Sequence, residues 1–308
     1  MQHTLNTSIT FEGVGLHSGH NMTMVVKPAA ADHGIVFVRT DVTDRDNVVP
    51  ALWNAVVDTR LCTVIGNQDK VTVGTIEHLM AALRGCGVDN VLIEINGPEV
   101  PVMDGSSAPF VAMIDQVGTQ EQAAPRRGIR VLKEVMIEEE GKRVRLSPAK
   151  GSVFGGQIEF ANALIGKQYF ETALVNGNFR HDLSEARTFG FLKDVEALRA
   201  AGLARGGSLD NAIVLDEGRV MNDGGLRFHN EFIRHKLLDA VGDLFLAGGP
   251  ILGAYEGFRA SHDLNNKIVR KLFATPGAWE MVDLYQEEVA HGLVPSVHEA
   301  EQAPLVLA

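Results

Sequence analysis

Three histidines and three carboxylates in this 308-residue chain stand at spacings suited to holding a metal ion or moving a proton. The stretch HNEFIRHKLLDAVGDLFL (229–246) reads as a helix. At 100° per residue, His235, Asp239 and Asp243 share an arc of about 80°. Leu237, Leu238, Val241, Leu244 and Phe245 occupy a different arc, so a core stripe runs beside an ionisable one. A histidine and an aspartate at i and i+4 can reach one ion together. A solvated face with a salt-bridged histidine explains the same spacing.

Glu77-His78 in TVGTIEHLMAAL supplies a second pair. Adjacent helical residues point about 100° apart. An ion on His78 would then lie within reach of Glu77 through a water, which suits a general base. On its own the pair is equally a helix with one surface glutamate, because neither H-E-x-x-H nor H-x-x-E-H occurs. His262 in RASHDLNNKIVRKL precedes another helical stretch. It is either a capping-region residue or a proton donor, and the second role would benefit from an acidic partner such as Asp243. His17 and His20 in GVGLHSGH form a weaker pair that reads more simply as a turn between strands.

Other chemistries lack their motifs. No strand–GxGxxG–helix unit supports a nicotinamide site. No CxxC supports a zinc finger or a thioredoxin-like thiol pair. No G-x-S-x-G supports a hydrolase serine. Residue types and spacing therefore reach a mononuclear metal site and stop there.

Strands and helices must bring these residues together from distant parts of the chain. Thr23–Pro28, Ile35–Val38 and Asn90–Ile95 read as strands. Thr75–Leu83 and Ser107–Val117 read as helices, the first ending at a Gly85 C′ position and the second carrying Pro109 in its first turn. The polar, proline-bearing stretch 118–128 reads as a linker, which predicts domains of 1–125 and 126–308. Beyond it, Ile129–Glu138 and Lys142–Leu146 predict a hairpin around EEEG, and Val153–Phe160 a further strand. Leu192, Val195 and Leu198 mark a short amphipathic helix. Ala212–Leu215 reads as a strand and Asp263–Phe273 as a helix. From Pro295 the chain loses periodicity, which predicts a mobile tail. No repeat of fixed period stands out.

Composition narrows the partners. The chain is 45% hydrophobic and 22% charged, an ordinary globular balance. Its net charge is −11 and no dense Lys/Arg cluster occurs, which argues against a nucleic-acid partner. Two cysteines, Cys62 and Cys86, argue for a reducing compartment. The N-terminus has no signal-peptide pattern, and no apolar run nears the roughly 20 residues of a membrane span. A cytoplasmic protein is expected.

Six segments in order resemble one family. They are GVGLHSG (13–19), GTIEHLMAAL (74–83), GVDNVLIEINGPEVPVMDGSSAPF (87–110), ARTFGF (186–191), HKLLDAVGDL (235–244) and ASHDLNN (260–266). Together they resemble the UDP-3-O-acyl-N-acetylglucosamine deacetylases of lipid A biosynthesis, the LpxC family, over nearly the whole chain. The resemblance implies a zinc ion on His78, His235 and Asp239, with Glu77 as general base. It implies His262 as general acid or electrostatic stabiliser, Asp243 orienting it, and Thr188 helping to hold the oxyanion. It also implies an α+β fold of two similar domains, each a sheet with two helices, with the helices sandwiched between the sheets. An insert bearing the helix at 192–198 is expected to form an apolar passage for an acyl chain, near Phe189 and Leu61. Lys236, Arg259 and Lys142 are expected near the substrate's diphosphate. The expected partner is the UDP-acylglucosamine substrate, and the expected state is a monomer.

Two departures bear on these expectations. Relatives often carry His-Pro after the strand ending at Phe160, where this chain has ANALIG, which weakens any transfer of nucleotide contacts there. Ala260-Ser261 replaces the more usual Ser-Gly before His262. Two other functions remain open on the sequence. One is a zinc amidase for a different acetylated sugar. The other is a sugar-nucleotide or acyl-chain binding protein without catalysis, disfavoured by the intact set Glu77, His78, His235, Asp239 and His262.

Overall fold

The computed structural model of the chain describes residues 1–175 and 177–284. The tail expected from Pro295 lies outside them. Six helices occur among the described residues: α1 (Glu77–Cys86), α2 (Ala108–Val117), α3 (Asn178–Asp182), α4 (Leu192–Ala200), α5 (Glu231–Phe245) and α6 (His262–Ala274).

The two halves repeat one topology. In the first, Ile9–Val14, Asn21–Pro28, Val91–Ile95, Ile35–Arg39 and Val48–Pro50 lie side by side in that order. Every pairing is antiparallel except that of Ile35–Arg39 with Val91–Ile95. In the second half, Val135–Glu139, Lys142–Ser147, Ile251–Phe258, Ser152–Glu159 and Lys167–Ala173 pair in the same sequence of senses. Each parallel pair needs a crossover connection, and a helix supplies it, α1 in the first half and α5 in the second. A further helix follows each central strand, α2 and α6 respectively. The repeat escapes a search for periodic sequence because only the hydrophobic pattern is shared. Two extra strands, Arg127–Val131 and Trp279–Asp283, extend the second sheet.

The sheets alternate buried and half-exposed residues, as along Ile251–Phe258, so each has one face toward a core. The helices fill the space between. Phe11 of the first sheet meets Phe110 of α2 edge-on at 5.0 Å between ring centroids. On the other side α5 packs on Ser152–Glu159 and α6 on the hairpin strands, while α1 and α5 pack directly on each other. One apolar cluster runs through all these layers. This is the expected α+β arrangement, with the helices between the two sheets.

Both halves also carry an insertion at the same point, between the outer strand and the crossover helix. The first forms the small sheet Val56–Asp58, Val64–Gly66 and Thr72–Val73. The second forms α3, α4 and the sheet Phe189–Phe191, Ile213–Asp216 and Arg219–Val220. Equivalent insertions therefore flank the α1–α5 contact.

Several boundaries differ from the expected ones. α1 starts at Glu77 because Thr75 has φ +54°, which no helix accommodates. It runs past Gly85 and ends at Gly87 in the left-handed conformation, φ +73°. Gly85 instead sits under the Phe179 ring, where a Cβ would stand 2.0 Å from Cδ1. The stretch expected as a linker holds a strand, Thr119–Gln122, paired with Gln2–Leu5. Ile129–Glu138 is two strands, Arg127–Val131 and Val135–Glu139, because the chain leaves an inner position between Ile251–Phe258 and Trp279–Asp283 and rejoins the sheet at its edge. The ionisable stripe of α5 is buried, with His235, Asp239 and Asp243 each 3% exposed or less, so the solvated-face reading fails.

Candidate metal centre

α1 and α5 bring the pairs together. His78 in the first turn of α1 faces His235 and Asp239 on α5. Their ligand atoms, one from each residue, all lie within 4.8 Å of one another. Asp239 Oδ1 stands 3.3 Å from His235 Nε2 and 3.5 Å from His78 Nε2. This oxygen is buried and has no hydrogen-bond partner. A buried, unpaired carboxylate oxygen is costly unless something fills the gap between it and two imidazole nitrogens. Two nitrogens and one oxygen form a donor set that zinc and related divalent metals accept.

The surroundings prepare the donors. His235 Nδ1 lies 3.0 Å from the Ala186 carbonyl, an acceptor only, so Nδ1 carries the proton and Nε2 keeps its lone pair. Burial drives the His235 pKa down to about 3, which keeps the ring neutral. Burial would raise the Asp239 pKa, but His235 and Lys236 hold it well below the usual carboxylate range. Lys236 Nζ donates to the other oxygen, Oδ2, at 2.9 Å.

A second ionisable group stands beside the first. His262, the opening residue of α6, places Nδ1 2.8 Å from Asp243 Oδ2. Its Nε2 lies 3.8 Å from Glu77 Oε1. Burial alone would push the His262 pKa down, but Asp243 and then Glu77 carry it up to about 9. Glu77 is buried, which raises its pKa against the pull of His262 and His78. Ser261 caps α6 by accepting from the Leu264 amide at 3.4 Å, which fixes where His262 emerges.

Spacing alone missed several supporting residues. Thr63 donates its amide to Glu77 Oε2 at 3.1 Å and its hydroxyl to Asp243 Oδ1 at 2.5 Å. Asn265 donates to Asp243 Oδ2 at 2.8 Å. Fully buried Glu231 accepts from the Arg187 amide and guanidinium, and so holds the segment whose Ala186 carbonyl orients His235. Asn265 does lie inside a matching segment, ASHDLNN, but only folding shows what it touches.

Other expected residues take varied places. Thr188 and Phe189 line a cavity of about 340 Å³, with Leu61 on its rim and Leu192, Val195 and Leu198 of α4 facing into it. Phe189 also packs edge-on to Phe232 at 4.9 Å and to His235 at 6.2 Å between centroids. A second cavity of about 530 Å³ shares His17, Leu61 and Leu198 with the first. His17 is half-buried there while His20 is exposed, so the two histidines do not act as a pair. Arg259 is bonded to Glu159 at 3.0 Å on the surface. Lys142 is exposed at the hairpin turn and lines neither cavity.

Comparison with known proteins decides the kinship. The family model described as LpxC, UDP-3-O-acyl N-acetylglycosamine deacetylase, matches residues 2–274. The chain belongs to the LpxC family. A UDP-3-O-acyl-N-acetylglucosamine deacetylase of Phenylobacterium zucineum (strain HLK1) is 50% identical over 95% of this chain and 99% of its own length. A protein of the same name from Myxococcus xanthus (strain DK1622) is 48% identical, over 94% of this chain and 91% of its own. Another from Shewanella violacea is 45% identical, over 94% and 95%. As an LpxC family member, the chain carries its cluster on the two crossover helices of an internal repeat, flanked by both insertions.

Proposed function

We propose that this protein hydrolyses the acetamide of a UDP-3-O-acyl-N-acetylglucosamine, releasing acetate and a free amine, with zinc held by His78, His235 and Asp239. The single observation that carries this reading is the unpaired, buried Asp239 Oδ1 facing two histidine nitrogens, with Glu77 and His262 beside it. Bound zinc supplies Lewis-acid polarisation of the acyl carbonyl and lowers the pKa of water.

The chain's own groups divide the proton work. Glu77 accepts a proton at a carboxylate oxygen, and the Thr63 amide keeps that carboxylate oriented. His262, charged through Asp243, presents an Nε2–H that stabilises developing negative charge and then donates to the departing nitrogen. Two titratable groups with opposed protonation states in one site are the pattern of paired acid and base. Thr188 stands on the cavity wall next to Phe189, in reach of the acyl side of the substrate in this reading. The 340 Å³ cavity takes the acyl chain, because its walls are mainly Leu, Val, Phe, Ala and Met side chains. The free thiols Cys62 and Cys86 fit a reducing, cytoplasmic setting.

Acetate release from the UDP-acylglucosamine, measured with zinc removed and then restored, tests the proposal. Activity lost with the metal and regained with zinc is expected. Acetate release unaffected by complete removal of the metal would overturn the metal role. Turnover only on other acetylated sugars would overturn the substrate.

A further inference from the structure

We propose that Glu99 is a positioning residue that clamps the wall of the substrate cavity to the start of the helix carrying Glu77 and His78. This rests on the deacetylase reading and adds to it a residue outside the metal and proton-transfer groups. Glu99 is 4% exposed and lies on a short segment tied on both sides. Its backbone bridges to Gly74, and that of Pro101 bridges to Gly15.

The Glu99 carboxylate accepts three hydrogen bonds from two separate parts of the chain. The amide of His17 donates to Oε1 at 2.8 Å and that of Ser18 to Oε2 at 2.8 Å. The hydroxyl of Thr75 donates to Oε1 at 2.8 Å. Two adjacent amides and a hydroxyl match an ionised carboxylate, which only accepts. Gly15 leaves room for it, since a Cβ there would stand 2.5 Å from Glu99 Oε2.

Each arm of the clamp holds something the site needs. On one side, residues 15–18 carry His17, whose side chain lies on the wall shared by both cavities. The same loop touches the second-half insertion, where the Gly206 amide donates to the Leu16 carbonyl at 3.0 Å. On the other side, Thr75 is a β-branched residue at φ +54°, a conformation that persists only when its surroundings enforce it. It lies two residues before Glu77. The Glu99 bond to its hydroxyl enforces that turn, and through it the direction in which α1 presents Glu77.

The two arms predict a split in kinetic effect. Glu99→Gln replaces one acceptor oxygen by an NH2 group facing donors, which frees the loop. Thr75→Val removes only the hydroxyl and keeps the shape, while Thr75→Ser keeps the hydroxyl. In the zinc-loaded enzyme, Glu99→Gln should raise KM at least tenfold, with faster amide hydrogen exchange at His17 and Ser18. Thr75→Val should lower kcat at least tenfold with KM near wild type, and Thr75→Ser should retain most of kcat. Wild-type KM and unchanged exchange at 17–18 in Glu99→Gln would overturn the proposal. So would equal losses in Thr75→Val and Thr75→Ser, because the hydroxyl would then be irrelevant. Failure of the deacetylase reading would show separately, as a wild-type enzyme releasing no acetate, and the exchange readout would still report on the clamp.

Discussion

Gly242 of α5 lies against the carbonyl of Glu77, so close that a Cβ on it would stand 2.0 Å from that oxygen. The two crossover helices therefore approach closely at the residue that bears the proposed base. In an isolated helix, Gly→Ala would add about 1 kcal/mol of stability. Here the clash must move backbone, and overpacking of that kind typically costs about 1–3 kcal/mol. Gly242→Ala should thus be net destabilised in chemical denaturation, with weaker zinc retention as α1 and α5 separate. A variant more stable than wild type, with full zinc content, would contradict this.

Ligand and base should separate cleanly. Asp239→Ala removes the unpaired oxygen and should lose bound zinc and turnover together. Glu77→Gln should keep zinc while turnover falls by about 10²–10⁴-fold, the usual effect of removing a positioned base. Metal analysis beside acetate release distinguishes them. Zinc lost from Glu77→Gln would make Glu77 a ligand.

The pH dependence follows from two raised pKa values. Burial raises Glu77, so its base form is lost on the acid side at a pH above the ordinary glutamate range. His262 is carried up to about 9, so its charged form persists through neutrality and is lost as pH rises through that value. The kcat/KM profile should be a bell, with limbs that belong to the coupled groups together. Asp243→Asn removes the first of the influences that raise His262 and leaves Glu77 with less help against burial, so the basic limb should move to lower pH. The linked stability has the same sign. A raised histidine contributes fully below its unfolded value of about 6.5 and loses that contribution as pH rises through the folded one. A basic limb unmoved in Asp243→Asn would remove His262 as the titrating group.

The three cations expected near the diphosphate should not behave alike. Lys236 is bonded to the carboxylate of Asp239, the proposed zinc ligand, whereas Arg259 is paired with Glu159 and Lys142 is exposed at a turn. Lys236→Ala should reduce both zinc affinity and kcat/KM, by about 10–100-fold for a group that supports a ligand. Lys142→Ala should stay within about twofold of wild type in KM. Steady-state kinetics at two salt concentrations would show it. A tenfold rise in KM for Lys142→Ala, abolished by salt, would instead place it on the substrate.

The sequence by itself determined the helices that carry the site and the family that owns them. The 3.6-residue pattern of 229–246 revealed a core stripe beside an ionisable one, because local periodicity is written in consecutive residues. It also marked α4 through Leu192, Val195 and Leu198, and most strands through their β-branched runs. Boundaries failed where a distant contact ruled. Gly85 looked like a helix end until the Phe179 ring, far along the chain, claimed the space above it. Stretch 118–128 looked like a linker until Gln2–Leu5 supplied a strand partner.

Tertiary structure alone decided which reading of each residue applied. His235, Asp239 and Asp243 have the spacing of a solvated face or of a functional cluster, and burial between two helices excluded the solvated face, since buried charge needs a partner. The repeat of the two halves was invisible because strand pairing constrains pattern and not residue identity. Nothing in the spacing of Thr63, Asn265 or Glu99 shows what they touch. Their roles lie in hydrogen bonds spanning as many as 180 positions, from Thr63 to Asp243, and only chain closure creates such contacts.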